Sequence, residues 1–169
     1  MINLSKNKNE KMKNINYQDL TPVQKNLLAE AEKVMKNAYN PYSHFSVGAA
    51  LLTFDEEIIT GANYESASYG GLTICAERAA LARANAMGKR ALKALAIIGK
   101  GENFDTAEVS APCGSCRQML YEASQIAEKD MEIILSTTKK DKIVLCTINE
   151  LLPLGFGPKD LGVDVKKYQ

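Results

Sequence analysis

At 169 residues the chain has a natural size for one domain with one core. Apolar residues make up 46% and charged residues 24%, which excludes a disordered chain, and a net charge of +1 gives no field that singles out nucleic acid or an anionic membrane as partner. No apolar run approaches the roughly 20 residues of a membrane span, and the Lys/Asn-rich start lacks an apolar signal segment, so a cytoplasmic setting is expected.

Residues 1–20 are polar, repeat Lys and Asn, and read as a flexible N-terminal extension to a single domain over residues 21–169. Thr21 at an N-cap and Pro22 behind it predict a helix, with Leu27, Leu28, Ala31, Val34, Met35 and Ala38 at helical spacing. Asn40-Pro41 ends it. Val47 to Thr53 and Glu57 to Ala62 read as strands joined by a short acidic turn. Gly70-Gly71 marks a loop, and Cys75-Ala76-Glu77-Arg78 opens an Ala-rich helix running to about Met87-Gly88. Leu92 to Ile98 suits a buried strand. A polar loop, Gly99 to Ser110, then leads into Pro112-Cys113-Gly114-Ser115-Cys116-Arg117, the start of a helix ending near Ala127. Met131 to Thr137 and Lys142 to Ile148 follow as strands, and the Gly/Pro-containing end from Leu151 to Leu161 reads as irregular. Strands alternating with helices in this way indicate an α/β fold, a mixed sheet covered on both faces.

In the expected setting cysteines are free, metal-bound or catalytic rather than paired. Cys113 and Cys116 form a C-x-x-C that serves redox dithiols as well as zinc. Cys75-Ala76-Glu77, also at a helix start, shifts the balance toward metal. Three thiolates from two helix N-termini leave one tetrahedral position open, as a catalytic zinc site requires. A structural site would need a fourth ligand, for which Cys146 in a strand and His44 in a distant loop are the candidates. Glu77 is two residues from Cys75, close enough to move protons beside the metal without binding it. C-A-E followed by P-C-x-x-C is the signature of zinc deaminases. Three thiolates also outweigh the charge of one Zn²⁺, so a cation is expected nearby. Arg78 is the first candidate and Arg117 a weaker one.

Beyond these two elements lie Pro41-Tyr42-Ser43-His44-Phe45, Val47-Gly48-Ala49-Ala50-Leu51-Leu52, Asn63-Tyr64-Glu65, and Phe156-Gly157-Pro158-Lys159-Asp160-Leu161. With them, the chain resembles the small, tetrameric cytidine deaminases. The resemblance implies a three-layer α/β/α fold around a mixed five-stranded sheet, one Zn²⁺ per chain, and hydrolysis of cytidine and deoxycytidine in pyrimidine salvage. It implies that Asn63 and Glu65 hydrogen-bond the ribose, that Phe45 packs against the pyrimidine, and that backbone at Ala76 reads the amine. Phe156 would reach the site of a neighbouring subunit in a homotetramer; Ala67 and Tyr69 would approach the ribose 5′ end. Two departures from the family pattern stand out: Ser66 where Asn is usual, and one extra residue near Gly70-Gly71. Blasticidin S deaminases share the C-A-E and P-C-x-x-C-R-Q elements, and nucleotide and tRNA deaminases share the fold. The ribose-reading pair and the Phe156 tail favour a free nucleoside, and the near-neutral charge disfavours a tRNA substrate.

Overall fold

The computed structural model describes residues 12–68 and 70–169. Thr21 caps α1 (Pro22–Met35) through a capping box in which its side chain accepts from Gln24 N and Gln24 answers to the Thr21 amide. The hairpin β2 (Phe45–Thr53) and β3 (Ile58–Ala62) follows, then α2 (Ala76–Ala86), β4 (Leu92–Gly101) and α3 (Gly114–Ile126). The strands β5 (Glu132–Ser136) and β6 (Ile143–Thr147) complete the domain with the short α4 (Ile148–Leu151). With β1 (Lys13–Asn14) they make one mixed sheet in the order β1-β6-β5-β4-β2-β3. Among the described strands only β4 and β5 pair in parallel, joined through α3 as a crossover.

Alternation along the strands divides the core in two. Leu51, Ile59, Leu95, Ile97 and Ile133 face α2 and α3, whereas Ala50, Leu52, Ala96, Ile98 and Ile134 face α1. The three layers expected from the sequence are therefore present. Two glycines set how tightly they close. A Cβ on Gly48 would lie 2.0 Å from the Ala31 carbonyl oxygen of α1. On Gly61 it would lie 2.4 Å from Ala80 N and 2.5 Å from Ala76 O, so the first turns of α2 press directly on β3. That contact fixes the height of Cys75 and Glu77 above the sheet.

Two expectations need correction. The sheet has six strands rather than five, and residues 12–20 of the expected flexible extension are packed on the domain. Lys13 and Asn14 pair with Leu145 and Val144, and Ile15 N donates to Ile143 O at 3.0 Å. Those bonds satisfy backbone groups of β6 that an edge strand would leave open. Ile15 and Tyr17 pack on the α1-side core, where Leu20 is 3% exposed. Lys25 and Lys140 lie over the Tyr17 ring at 5.5 and 5.6 Å. Lys/Asn composition hid these few apolar anchors. The remainder of that extension, residues 1–11, lies outside the described residues. The C-terminal stretch, expected to be irregular, contains 3-10 turns at Pro158–Leu161 and Val165–Tyr168. Among the described residues no helix is long and apolar enough to cross a membrane.

Candidate active site

Cys75 and Cys113 are the N-cap residues of α2 and α3, in extended backbone geometry, and neither side chain makes a capping bond. A Ser or Asp at these positions would turn inward to cap its own helix. The thiols instead project toward each other. The three sulfurs of Cys75, Cys113 and Cys116 lie within 4.8 Å of one another, with Cys75 Sγ and Cys113 Sγ 4.0 Å apart. Thiolates bound tetrahedrally at about 2.3 Å would be separated by about 3.8 Å, so the cluster needs little adjustment to hold zinc. Cys116 is buried, Cys75 half-buried and Cys113 exposed. Two helix N-termini add their positive ends to the site.

The charge balance fits the same ion. The Cys75 thiol is held down at about 5, chiefly by its hydrogen bond with Cys116, with Cys113 and the Arg78 guanidinium adding to this against the opposing effect of burial. The same bond, with burial, pushes the Cys116 thiol up, so one thiolate forms readily and a divalent cation is needed to hold three. Arg78 donates from Nη2 to Thr73 O, and its buried Nε has no protein partner among the described residues. This cation lies beside Cys75. Arg117 takes no comparable part: Nε donates to Pro112 O at 2.8 Å and Nη1 to Leu151 O at 3.1 Å, fastening the turn before Cys113 to α4.

Among the described residues no fourth protein ligand closes the site. Cys146 is buried in β6 with its thiol directed at Ile133 O, and burial pushes it up to about 12. His44 is exposed and pairs with Glu102 at 3.2 Å. Among the described residues the three-cysteine group is the one cluster suited to a metal, and all four cysteines are free.

Glu77 lies in the first turn of α2 and is only 4% exposed. Burial raises its carboxyl above the ordinary glutamate value, and the Cys75 charge adds to the rise. A carboxyl shifted in this direction takes up a proton more readily than an exposed glutamate, as a general acid and base requires.

Asn63 and Glu65, just beyond β3, are both largely buried and held by the chain entering β2. Asn63 Nδ2 donates to Phe45 O at 2.9 Å, while Val47 N donates to Asn63 Oδ1 at 2.8 Å. Glu65 Oε2 accepts from Tyr42 N at 3.0 Å and Ser43 N at 3.2 Å. Hydrogen bonding from Ser43, its hydroxyl first, holds the Glu65 carboxyl below the usual range against the effect of burial. Between the two, Tyr64 stacks on Tyr39 with ring centroids 5.1 Å apart and bridges to Ile74 just before Cys75. The segment from Asn63 to Glu65 is thus tied to the zinc-site helix as well as to β2. Ala76 is fully buried at the first position of α2. Ala67 is exposed, Ser66 Oγ lies 3.3 Å from Ser68 Oγ, and Tyr69 lies outside the described residues. A 3-10 turn, Gly70–Leu72, occupies the place of the extra loop residue.

The sequence model of the cytidine and deoxycytidylate deaminase zinc-binding region matches residues 22–129. The chain belongs to the cytidine deaminase family. The cytidine deaminase of Halalkalibacterium halodurans is 43% identical over 135 residues, 80% of this chain and 95% of that protein. That of Sporosarcina psychrophila is 42% identical over 135 residues, covering 80% and 92% respectively. The crystal structure of cytidine deaminase from Burkholderia pseudomallei superposes with a TM-score of 0.68 at 38% identity, covering 78% of this chain and 97% of that one. As in that family, one zinc ion per chain fits the three cysteines.

Phe156 is the remaining residue of the expected cytidine deaminase site. It is 60% exposed on the tail, its carbonyl held by Gln118 Nε2 at 2.7 Å. Sequence reasoning missed the Tyr42 and Ser43 amides that cradle Glu65, and Gln118 as the tether of the tail. Backbone donors leave no side-chain signature; only the turn-forming Pro41 hinted at the first.

Proposed function

We propose that this chain hydrolyses cytidine and deoxycytidine to uridine and deoxyuridine with release of ammonia, as a homotetramer serving pyrimidine salvage in the cytoplasm. The observation that carries this reading is Glu77, a buried carboxyl beside three converging thiols in a chain of this family. Bound zinc supplies Lewis acidity that brings a water molecule's pKa down toward about 7. Glu77 takes the proton of that water and delivers it to ring N3, which makes C4 more electrophilic. The water oxygen adds at C4, and Glu77 then takes the remaining proton of that new hydroxyl and passes it to the departing amine, leaving a carbonyl at C4. One water is consumed and one ammonia released, and Glu77 ends as it began. Glu65 and Asn63 hold the ribose hydroxyls, Phe45 borders the base, and backbone at Ala76 faces the amine.

An ultraviolet assay for loss of cytidine absorbance, run beside deoxycytidine, CMP and blasticidin S, tests the substrate. Turnover of cytidine and deoxycytidine is expected; turnover confined to CMP or blasticidin S would sink the nucleoside reading.

Arg78 acts on the metal rather than on the substrate. Removing a charge-assisted hydrogen bond is worth about 1.5–3 kcal/mol, so Arg78→Ala should lower kcat at least tenfold while most of the zinc is kept. Activity and metal content measured on one preparation check this, and wild-type activity would refute the charge-balancing role.

Phe156 supports the tetramer. With Leu154, Leu161 and Tyr168 it leaves a run of exposed apolar side chains along the tail, the kind of surface a neighbouring subunit covers. Stacking of a base on an aromatic ring is worth about 1–3 kcal/mol, so Phe156→Ala should raise KM about tenfold. Mixing Phe156→Ala subunits with inactive Glu77→Gln subunits should then restore low-KM turnover, because some sites combine an intact Glu77 with a neighbour's Phe156. Absence of complementation after verified subunit exchange would count against a shared site.

A further inference from the structure

We propose that Ser43 is a positioning residue for sugar recognition, its hydroxyl holding the turn whose amides grip Glu65; the inference rests on the nucleoside reading above. The chain between α1 and β2 reverses at Asn40, where His44 N donates to Asn40 O at 3.0 Å. His44 closes that turn in the left-handed region at φ 53°, which a residue with a side chain holds only where surrounding bonds enforce it. Ser43 provides such bonds on both sides. Its amide donates to Glu65 Oε2 at 3.2 Å, and its Oγ accepts the Phe45 N–H at 3.1 Å. The hydroxyl therefore spans the left-handed residue and joins the amides at Tyr42 and Ser43 to the first residue of β2.

From Phe45 the path continues rigidly. The Phe45 carbonyl accepts from Asn63 Nδ2, so this one residue is held by Ser43 at its N–H and by Asn63 at its oxygen. Glu65, two residues beyond Asn63, closes the circuit back to the turn through Oε2. Among the described residues no backbone amide engages the other oxygen, Oε1, leaving it to accept from a sugar hydroxyl, and the Ser43 hydroxyl bears directly on the same carboxylate. Without the Ser43 hydroxyl, the Phe45 N–H loses its partner and His44 loses a restraint. The two amides are then free to drift from the carboxylate, and Oε1 turns with it. A purely local role in shaping the turn would instead weaken all ligands alike.

The test is kinetic and uses two substrates. For Ser43→Ala, the loss of one neutral hydrogen bond predicts a KM for cytidine about 3–10-fold higher with kcat within about twofold. Glu65 is assigned the 3′-hydroxyl, which cytidine and deoxycytidine share, so with 3′-deoxycytidine, which lacks it, the same substitution should change KM by less than about twofold. Ser43→Thr keeps the hydroxyl and should restore the cytidine KM. Equal KM penalties on both substrates, no penalty on cytidine, or a loss confined to kcat would each overturn the role. A wild-type chain that turns over no cytidine would overturn the nucleoside reading and this inference together. An active wild type with an unaltered Ser43→Ala variant would overturn this inference alone.

Discussion

Glu77→Gln is expected to lower kcat for cytidine by about 10²–10⁴-fold, the range for removing a general acid–base group. The substitution keeps the length and polarity of the side chain, so the first turn of α2 should stay pressed on β3 at Gly61. What it removes is the exchangeable proton. The proposed reaction uses the carboxylate as a relay twice, for one proton to N3 and a second to the leaving amine, and among the described residues no neighbour is placed to stand in. Cys75, Cys113 and Cys116 would be committed to the metal, and the Glu65 carboxyl is engaged by the Tyr42 and Ser43 amides. Zinc content and melting temperature should match the wild type, and KM should change much less than kcat. Retention of more than a few per cent of activity would sink the assignment of Glu77. A loss accompanied by loss of zinc would mean that Glu77 serves the metal site rather than the proton.

How far the sequence revealed the site follows from what carries each part. Side chains whose chemistry is specific at fixed spacing were legible. Cys75, Cys113 and Cys116 converge as expected because each of two helix starts delivers its sulfur at a predictable place, and Thr21-Pro22 began its helix where expected for a similar local reason. Interactions made by backbone were not legible. The amides of Tyr42 and Ser43 hold Glu65 across more than twenty positions of chain, and any residue type could have supplied them. The β1 strand was hidden differently. Two ladder pairs and a few apolar anchors sufficed because β6 already offered unpaired backbone, a property of the assembled sheet and not of residues 12–20. Phe156 is the third kind. Its role depends on a neighbouring copy, so neither composition nor a single chain's geometry gives its exposed ring a purpose, and only the family resemblance did so.

Zinc removal should abolish turnover and also loosen the fold, because the ion joins the starts of two helices that the sheet alone does not connect. The Cys75 thiol comes from α2, which leans on β3, and Cys113 and Cys116 come from α3, which packs between β4 and the tail. Direct packing between α2 and α3 is sparse, so the metal is the main cross-link at this end of the molecule. A ligand at a thousandfold excess over its dissociation constant stabilises the folded state by about 4 kcal/mol. For a domain of this size each kcal/mol moves the melting temperature by about 2–4 °C, so stripping zinc should lower it by about 10 °C. Dialysis against a strong chelator at mildly acidic pH, where thiolates compete less well, should yield metal-free protein with no cytidine turnover. One equivalent of zinc per chain should then restore both activity and melting temperature. Cys113→Ser separates the two effects, since it weakens one ligand at the exposed side and leaves Glu77 and the buried Cys116 in place. Activity in that variant should track bound zinc as the metal is titrated. Full activity in protein shown to be metal-free, or a reversible Cys113–Cys116 disulfide that forms without loss of function, would refute the catalytic metal and return the C-x-x-C to redox chemistry.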